Sequence, residues 1–170
     1  STPLKDEIMF NEIIYGDDLQ FDQWKIYPTS TVPWTKIKKW YDEGTYIPYT
    51  ETDPNLLINL LFKIKQIVPT WVRLNRVIRD IPNKTRSGEL YIYAGNKITN
   101  LRQVVHDKLK KHNKFCPCIR CREVKNNYNL IHCTQIIVKR YKSSDGIEYF
   151  ISIESGNFPD SVYKKNKQKW

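Results

Sequence analysis

Cys116, Cys118 and Cys121 stand within six positions in the run FCPCIRCREV, and Cys133 follows after eleven intervening residues. Thiolates at such spacing can hold a metal ion, hold an iron–sulfur cluster, pair as a disulfide or simply pack. Cys116 and Cys118 are too close in the chain to bridge without strain. An iron–sulfur cluster also takes thiolates. Zinc asks for four nitrogen or sulfur ligands in a tetrahedron. Three thiolates from one knuckle and a fourth from a nearby strand meet that demand, and Pro117 stiffens the tight first bend. The favoured reading is zinc on Cys116, Cys118, Cys121 and Cys133. His132 adjoins Cys133 and would face the other way on an extended chain, so one of the two reaches the metal. His112 is a third candidate. A closed four-ligand site is structural, and its binding energy acts as folding energy.

A second set of residues suits binding. Lys and Arg total 28 against 18 Asp and Glu, a formal net charge of +10. A pI near 9.4 points to a polyanion, and nucleic acid is the commonest. Arg102, Lys108, Lys110, Lys111, Lys114, Arg120, Arg122, Lys139, Arg140 and Lys142 gather around the cysteines, with Tyr128 and Tyr141 among them. Cations pair with phosphates, and aromatic rings stack on unpaired bases. Arg73, Arg76 and Arg79 share one predicted strand, and Lys25 lies on another. The expected nucleic-acid contacts are Arg76, Arg79, Arg102, Lys114, Arg120, Arg122, Lys139 and Arg140. No Ser/His/Asp or Cys/His nucleophile set is evident. His106, beside Asp107, reads as a surface residue, and Asp17 with Asp18 as a turn.

The elements that must position these groups follow from caps and periodicity. Thr2 caps a helix begun by Pro3 and fading before Gly16. WKIYPT (24–29) is a short β-like run. Residues 34–44 read as a helix with Ile37, Trp40 and Tyr41 on one face, closed by Gly44. In 53–68, Asp53 caps, and Leu56, Leu57, Leu60, Leu61 and Ile64 form an apolar stripe that Pro69 ends. Residues 71–82 read as a strand and 100–113 as a helix buried through Leu101, Val104, Val105 and Leu109. Strands at 134–144 and 146–154 flank the turn SSDG. Strand and helix alternate up to a seam near residue 113, as in a parallel α/β sheet. At 170 residues the chain is short of a complete (β/α)₈ barrel, which takes roughly 250. No apolar run of transmembrane length and no signal peptide is seen. The local clustering of cysteines fits a reducing compartment, cytoplasmic or nuclear.

KIYPT (25–29), GTYIPYT (44–50), VPTWVRLNRVIRDIP (68–82), TNLRQ (99–103), CPCIRCREV (116–124) and VKRYKSSDGIEYFISIE (138–154) occur in that order. Together they resemble the catalytic subunit of Elongator, a tRNA-modifying radical-SAM acetyltransferase family. The resemblance spans roughly residues 1 to 154. It implies an α/β fold: a partial radical-SAM-type barrel over 1–113, a zinc-binding cysteine linker over 114–133, a hairpin opening an acetyltransferase domain over 134–154, and a basic tail over 155–170. It also implies wobble-uridine tRNA chemistry that draws on SAM, an iron–sulfur cluster and acetyl-CoA.

Departures bound what these residues do themselves. The radical-SAM motif C-x3-C-x2-C is absent, and so is the glycine-rich turn that grips acetyl-CoA. CPCIRC has a shorter first spacing and falls at the linker position. Residues 83–93 make a longer connection than the family uses, and 155–170 match nothing in it. The expected function is therefore a tRNA-binding, zinc-stabilised fragment or reduced relative without a complete catalytic centre. SAM, the cluster and acetyl-CoA would act only through flanking regions. The alternative is a protein-interaction module that packs on other Elongator-type subunits or on a complementary polypeptide, with its apolar helix at 53–68 exposed.

Overall fold

A computed structural model describes residues 2–126 and 134–155. Its elements are α1 (Pro3–Tyr15), β1 (Gln23–Lys25), β2 (Ser30–Thr31), α2 (Lys36–Asp42), α3 (Tyr49–Thr52), α4 (Asn55–Ile67), β3 (Arg73–Arg76), β4 (Ala94–Gly95), α5 (Leu101–Lys111), α6 (Ile119–Arg122), β5 (Thr134–Ser143) and β6 (Gly146–Ser155).

Local chemistry explains the helices. Thr2 Oγ1 accepts from the Lys5 amide, and Pro3 supplies the first turn of α1. The Asp53 carboxylate accepts from the Asn55 amide at 2.8 Å and starts α4. Leu57, Ile58, Leu60, Leu61 and Ile64 of α4 are buried, so this helix forms the centre of the core. Leu101, Val105 and Leu109 bring α5 against it. The protein-interaction alternative would leave an exposed edge on this helix; tertiary packing instead buries its stripe. α2 begins two residues later than expected, capped by Thr35, and buries none of its residues. Its Ile37, Trp40 and Tyr41 lie at or near the surface.

The sheet is smaller than the periodicity implied. β1 and β3 pair in parallel, with Trp24 opposite Leu74 and Lys25 opposite Arg76. The register slips by one residue there. A bulge of this kind turns the following side chains over, and Val77 joins Val72 and Leu74 in the core instead of alternating away from them. The expected strand at 71–82 therefore shrinks to four residues, because β1 offers only a three-residue edge to pair with. β2 and β4 form an unexpected antiparallel pair. Gly95 makes it possible: its φ is +98°, and a Cβ there would meet the Thr29 carbonyl oxygen at 2.4 Å.

β5 and β6 form the expected hairpin in unbroken register from Thr134↔Ser155 to Ser143↔Gly146. Tyr141 stacks on Trp71 with ring centroids 4.1 Å apart and planes 6° from parallel. At the tip, Lys142 pairs with Asp17 at 3.2 Å, and the Ser144 amide donates to the Asp17 carbonyl. The opposite face carries Ile136, Val138, Ile147, Tyr149, Ile151 and Ile153, all exposed. The exposed apolar surface expected on α4 is found here instead.

Candidate metal centre and its basic surroundings

The cysteine loop is stitched along β3. The Ile119 amide donates to the Val72 carbonyl at 3.0 Å, and the Arg102 guanidinium donates to the Leu74 carbonyl at 2.7 Å. Arg120 donates to the Asn75 carbonyl, and Arg73 pairs with Glu123. Anchored in this way, Cys116 and Cys118 enter the core while Cys121 lies at its rim.

The three Sγ atoms lie within 4.8 Å of one another. Two thiolates on one zinc ion sit about 3.8 Å apart in a tetrahedron of standard bond lengths, so a small contraction completes the set. Three thiols so close cannot ionise independently. Hydrogen bonds from Cys116 and Cys121 hold the Cys118 thiol far below its ordinary range, and the same contact with Cys118, aided by burial, pushes Cys116 up. A divalent cation relieves that mutual repulsion. The donor set therefore fits zinc, which would hold the loop closed.

Two residues at this centre escaped the sequence reading. His106 is half-buried, and its Nε2 lies 3.5 Å from Cys121 Sγ. A nitrogen and a sulfur bound to one zinc ion are about 3.6 Å apart. Burial pushes the His106 pKa down to about 4, with Lys65 and Arg102 adding positive charge, so its ring is neutral at pH 7 and able to ligate. The expectation of a surface histidine is corrected by the pitch of α5. Position 106 lies four residues beyond Arg102 and three before Leu109, on the flank of the buried stripe. The other residue is Lys65, fully buried at the inner face of α4, with Nζ 3.8 Å from Cys121 Sγ. Of the expected ligands, Cys133 and its alternative His132 lie outside the described residues, as does Tyr128. His112 meets the edge of Phe62, with centroids 5.4 Å apart, on the outer side of α4 and α5.

The expected nucleic-acid residues divide into two groups. Arg122 turns inward: it donates to the Pro117 carbonyl and the Thr70 carbonyl, each at 2.7 Å, and pairs with Glu154 at 2.7 Å. Lys139 also turns inward, donating to Thr70 Oγ1 at 2.6 Å, 3.8 Å from Glu154. Burial pulls the Lys139 pKa down to about 8, against the opposing pull of Glu154. Burial raises the Glu154 carboxyl, but hydrogen bonds from Arg122 and Ser152 outweigh it and hold the group below its usual range. Arg102 is half-buried against β3. Arg76, Arg79, Lys114, Arg120 and Arg140 remain exposed. Arg76 and Lys25 close the carboxyl ends of the parallel pair β3 and β1, the side on which α/β folds place their ligands.

Residues 21–111 match the radical-SAM C-terminal domain family. The tRNA uridine(34) acetyltransferase of Methanocaldococcus jannaschii is 35% identical over 155 residues, 88% of this chain and 27% of that protein. Elongator complex protein 3 of Schizosaccharomyces pombe is 31% identical over 154 residues, again 88% of this chain and 27% of that one. Among solved structures, the Methanocaldococcus infernus Elp3 with an N-terminal deletion superposes with a TM-score of 0.78 at 32% identity, covering 91% of this chain and 36% of that one. The chain thus spans about a quarter to a third of the relatives it matches. Matched over more than half of its length by the family and at 30% identity or more by these relatives, the chain belongs to the radical-SAM C-terminal domain family, alongside the tRNA uridine(34) acetyltransferases and Elongator complex protein 3.

Proposed function

We propose that this chain is the tRNA-binding end of a wobble-uridine-modifying radical-SAM unit, stiffened by a structural zinc ion in its cysteine linker. Barrel segment, linker, hairpin and tail take the limits 1–113, 114–133, 134–154 and 155–170. SAM, an iron–sulfur cluster and acetyl-CoA would be handled by other regions of such an enzyme, since the motifs for them are absent from these residues. The observation that carries the reading is the exposed set Arg76, Arg79 and Arg120 at the carboxyl end of β3, next to the cysteine loop. Cations so placed meet a phosphate backbone at the ligand side of the barrel. Lys114 and Arg140 extend the same charge, while Arg102, Arg122 and Lys139 serve the fold beneath it.

Filter binding of the full chain to tRNA across a salt series tests this. Affinity should fall steeply with salt, and Arg79→Ala with Arg120→Ala should lower the logarithmic slope by about 1 or more. Binding insensitive to salt would overturn it. For the zinc ion, Cys116, Cys118 and Cys121 supply three ligands. Cys133 is the fourth expected from spacing, but the 3.5 Å approach of His106 to Cys121 favours His106. Elemental analysis of His106→Ala and Cys133→Ser decides, because only the true ligand's loss should reduce zinc below one per chain.

A second reading has its own support. The exposed isoleucines of the hairpin suit a protein partner or the remaining sheet of an acetyltransferase domain. Salt-insensitive association with protein, in place of RNA binding, would favour it.

A further inference from the structure

Lys65 is the most anomalous side chain in the core. Its relative exposure is 0%, and it stands between buried Ile64 and the core-facing turn ending at Val68. Burying an ammonium group is strongly unfavourable unless an anion meets it. Among the described residues no carboxylate pairs with Lys65, and its one polar contact is Cys121 Sγ at 3.8 Å. A methionine would fill the same volume in an apolar helix stripe at no such cost. The lysine therefore answers to negative charge at the cysteines.

The charge count makes the demand specific. Three thiolates and a divalent ion leave a net charge of −1 when the fourth ligand is neutral His106, and −2 when it is a fourth thiolate. Either value is unfavourable in a dry core. Arg102 lies near the cysteines too, but its guanidinium is committed to the Leu74 carbonyl. We infer that Lys65 is the built-in counter-cation of the metal–thiolate centre, neutralising it and shielding the Cys121 sulfur by an N–H···S contact from inside the core. This rests on the metal reading above. Lys65 is a positioning residue, acting on the metal through Cys121. The contact draws electron density from that sulfur, so the metal-bound Cys121 thiolate should react slowly with electrophiles.

The test is a cobalt and zinc titration of the full chain, its Lys65→Met and its Lys65→Arg variants, at one pH against a competing chelator. Metal-loaded protein is then treated with iodoacetamide and alkylated sites are read by mass spectrometry. Partners of this kind typically set metal affinity by 10–100-fold. Lys65→Met should weaken binding by about that factor and speed alkylation at Cys121, with Lys65→Arg restoring most of both. The metal-free Lys65→Met chain should melt no lower than the metal-free wild type, since a buried charge has been removed. A lysine that merely packs would give the reverse pattern, altered melting with unchanged affinity and alkylation, and that result would overturn the inference. Failure of the wild-type chain to bind either metal would overturn the centre itself, and the counter-cation with it.

Discussion

At the scale of single residues, the centre of gravity is Arg122. Its ion pair with Glu154 is nearly dry, with side-chain exposures of 10% and 6%. Replacing Arg122 by Met takes the main partner of a buried carboxylate and leaves Lys139 and Ser152 beside it, at a cost of up to about 3–5 kcal/mol; urea unfolding measures it, and adding Glu154→Gln should recover much of the loss. The same pair sets an acid limit. Glu154 is held below its unfolded value, so its stabilisation is complete above that value, about 4.3, and is lost as pH falls through the folded one. Thermal melts from pH 6 downward should show that limb, and Glu154→Gln should flatten it. Spacing and residue type disclosed the three cysteines, because ligands on one short loop must be neighbours in sequence. They did not disclose Arg122's true role. Its carboxylate partner lies in another element, and composition records how much charge is present but not which charges meet. His106 and Lys65 were hidden for the same reason, being brought to Cys121 by separate helices.

At the scale of elements, caps and apolar stripes were enough to place α1, α4 and α5 within a residue or two, since each helix closes its own hydrogen bonds. The strands resisted. A three-residue β1 exists only because β3 lies beside it, and no local pattern records that partner. The β2–β4 pair is the extreme case, two residues on each side. It depends on Gly95, whose positive φ and close backbone approach exclude a side chain. Gly95→Ala should cost at least about 1–3 kcal/mol in backbone strain alone. A lowered melting transition, with increased amide exchange at the Thr31 and Tyr93 pairings, is the expected result.

At the scale of the whole molecule, the alternation of strand and helix told of a parallel α/β unit, and the turn residues told of a hairpin. Their relation was not legible, because the Trp71–Tyr141 stack and the Lys139–Thr70 contact join residues far apart in sequence. The hairpin sits with a polar and aromatic side on the barrel segment and an aliphatic side facing outward. Ile151, 66% exposed, lies opposite Val138 on that outward side. With this apolar face uncovered the full chain should self-associate in sedimentation velocity, and Ile151→Lys should reduce that association and leave the melting temperature nearly unchanged.

Arg122 has one further consequence, which belongs to synthesis order. Its guanidinium rests on three corners: Thr70 from the barrel segment, Pro117 from the cysteine loop and Glu154 from the hairpin. A ribosome delivers these in that same order. The hairpin therefore emerges to find a seat only where the loop has already closed. Under the zinc reading proposed above, metal supply during translation would act as a checkpoint, and a zinc-starved cell would accumulate nascent chains whose hairpin is attached but not seated.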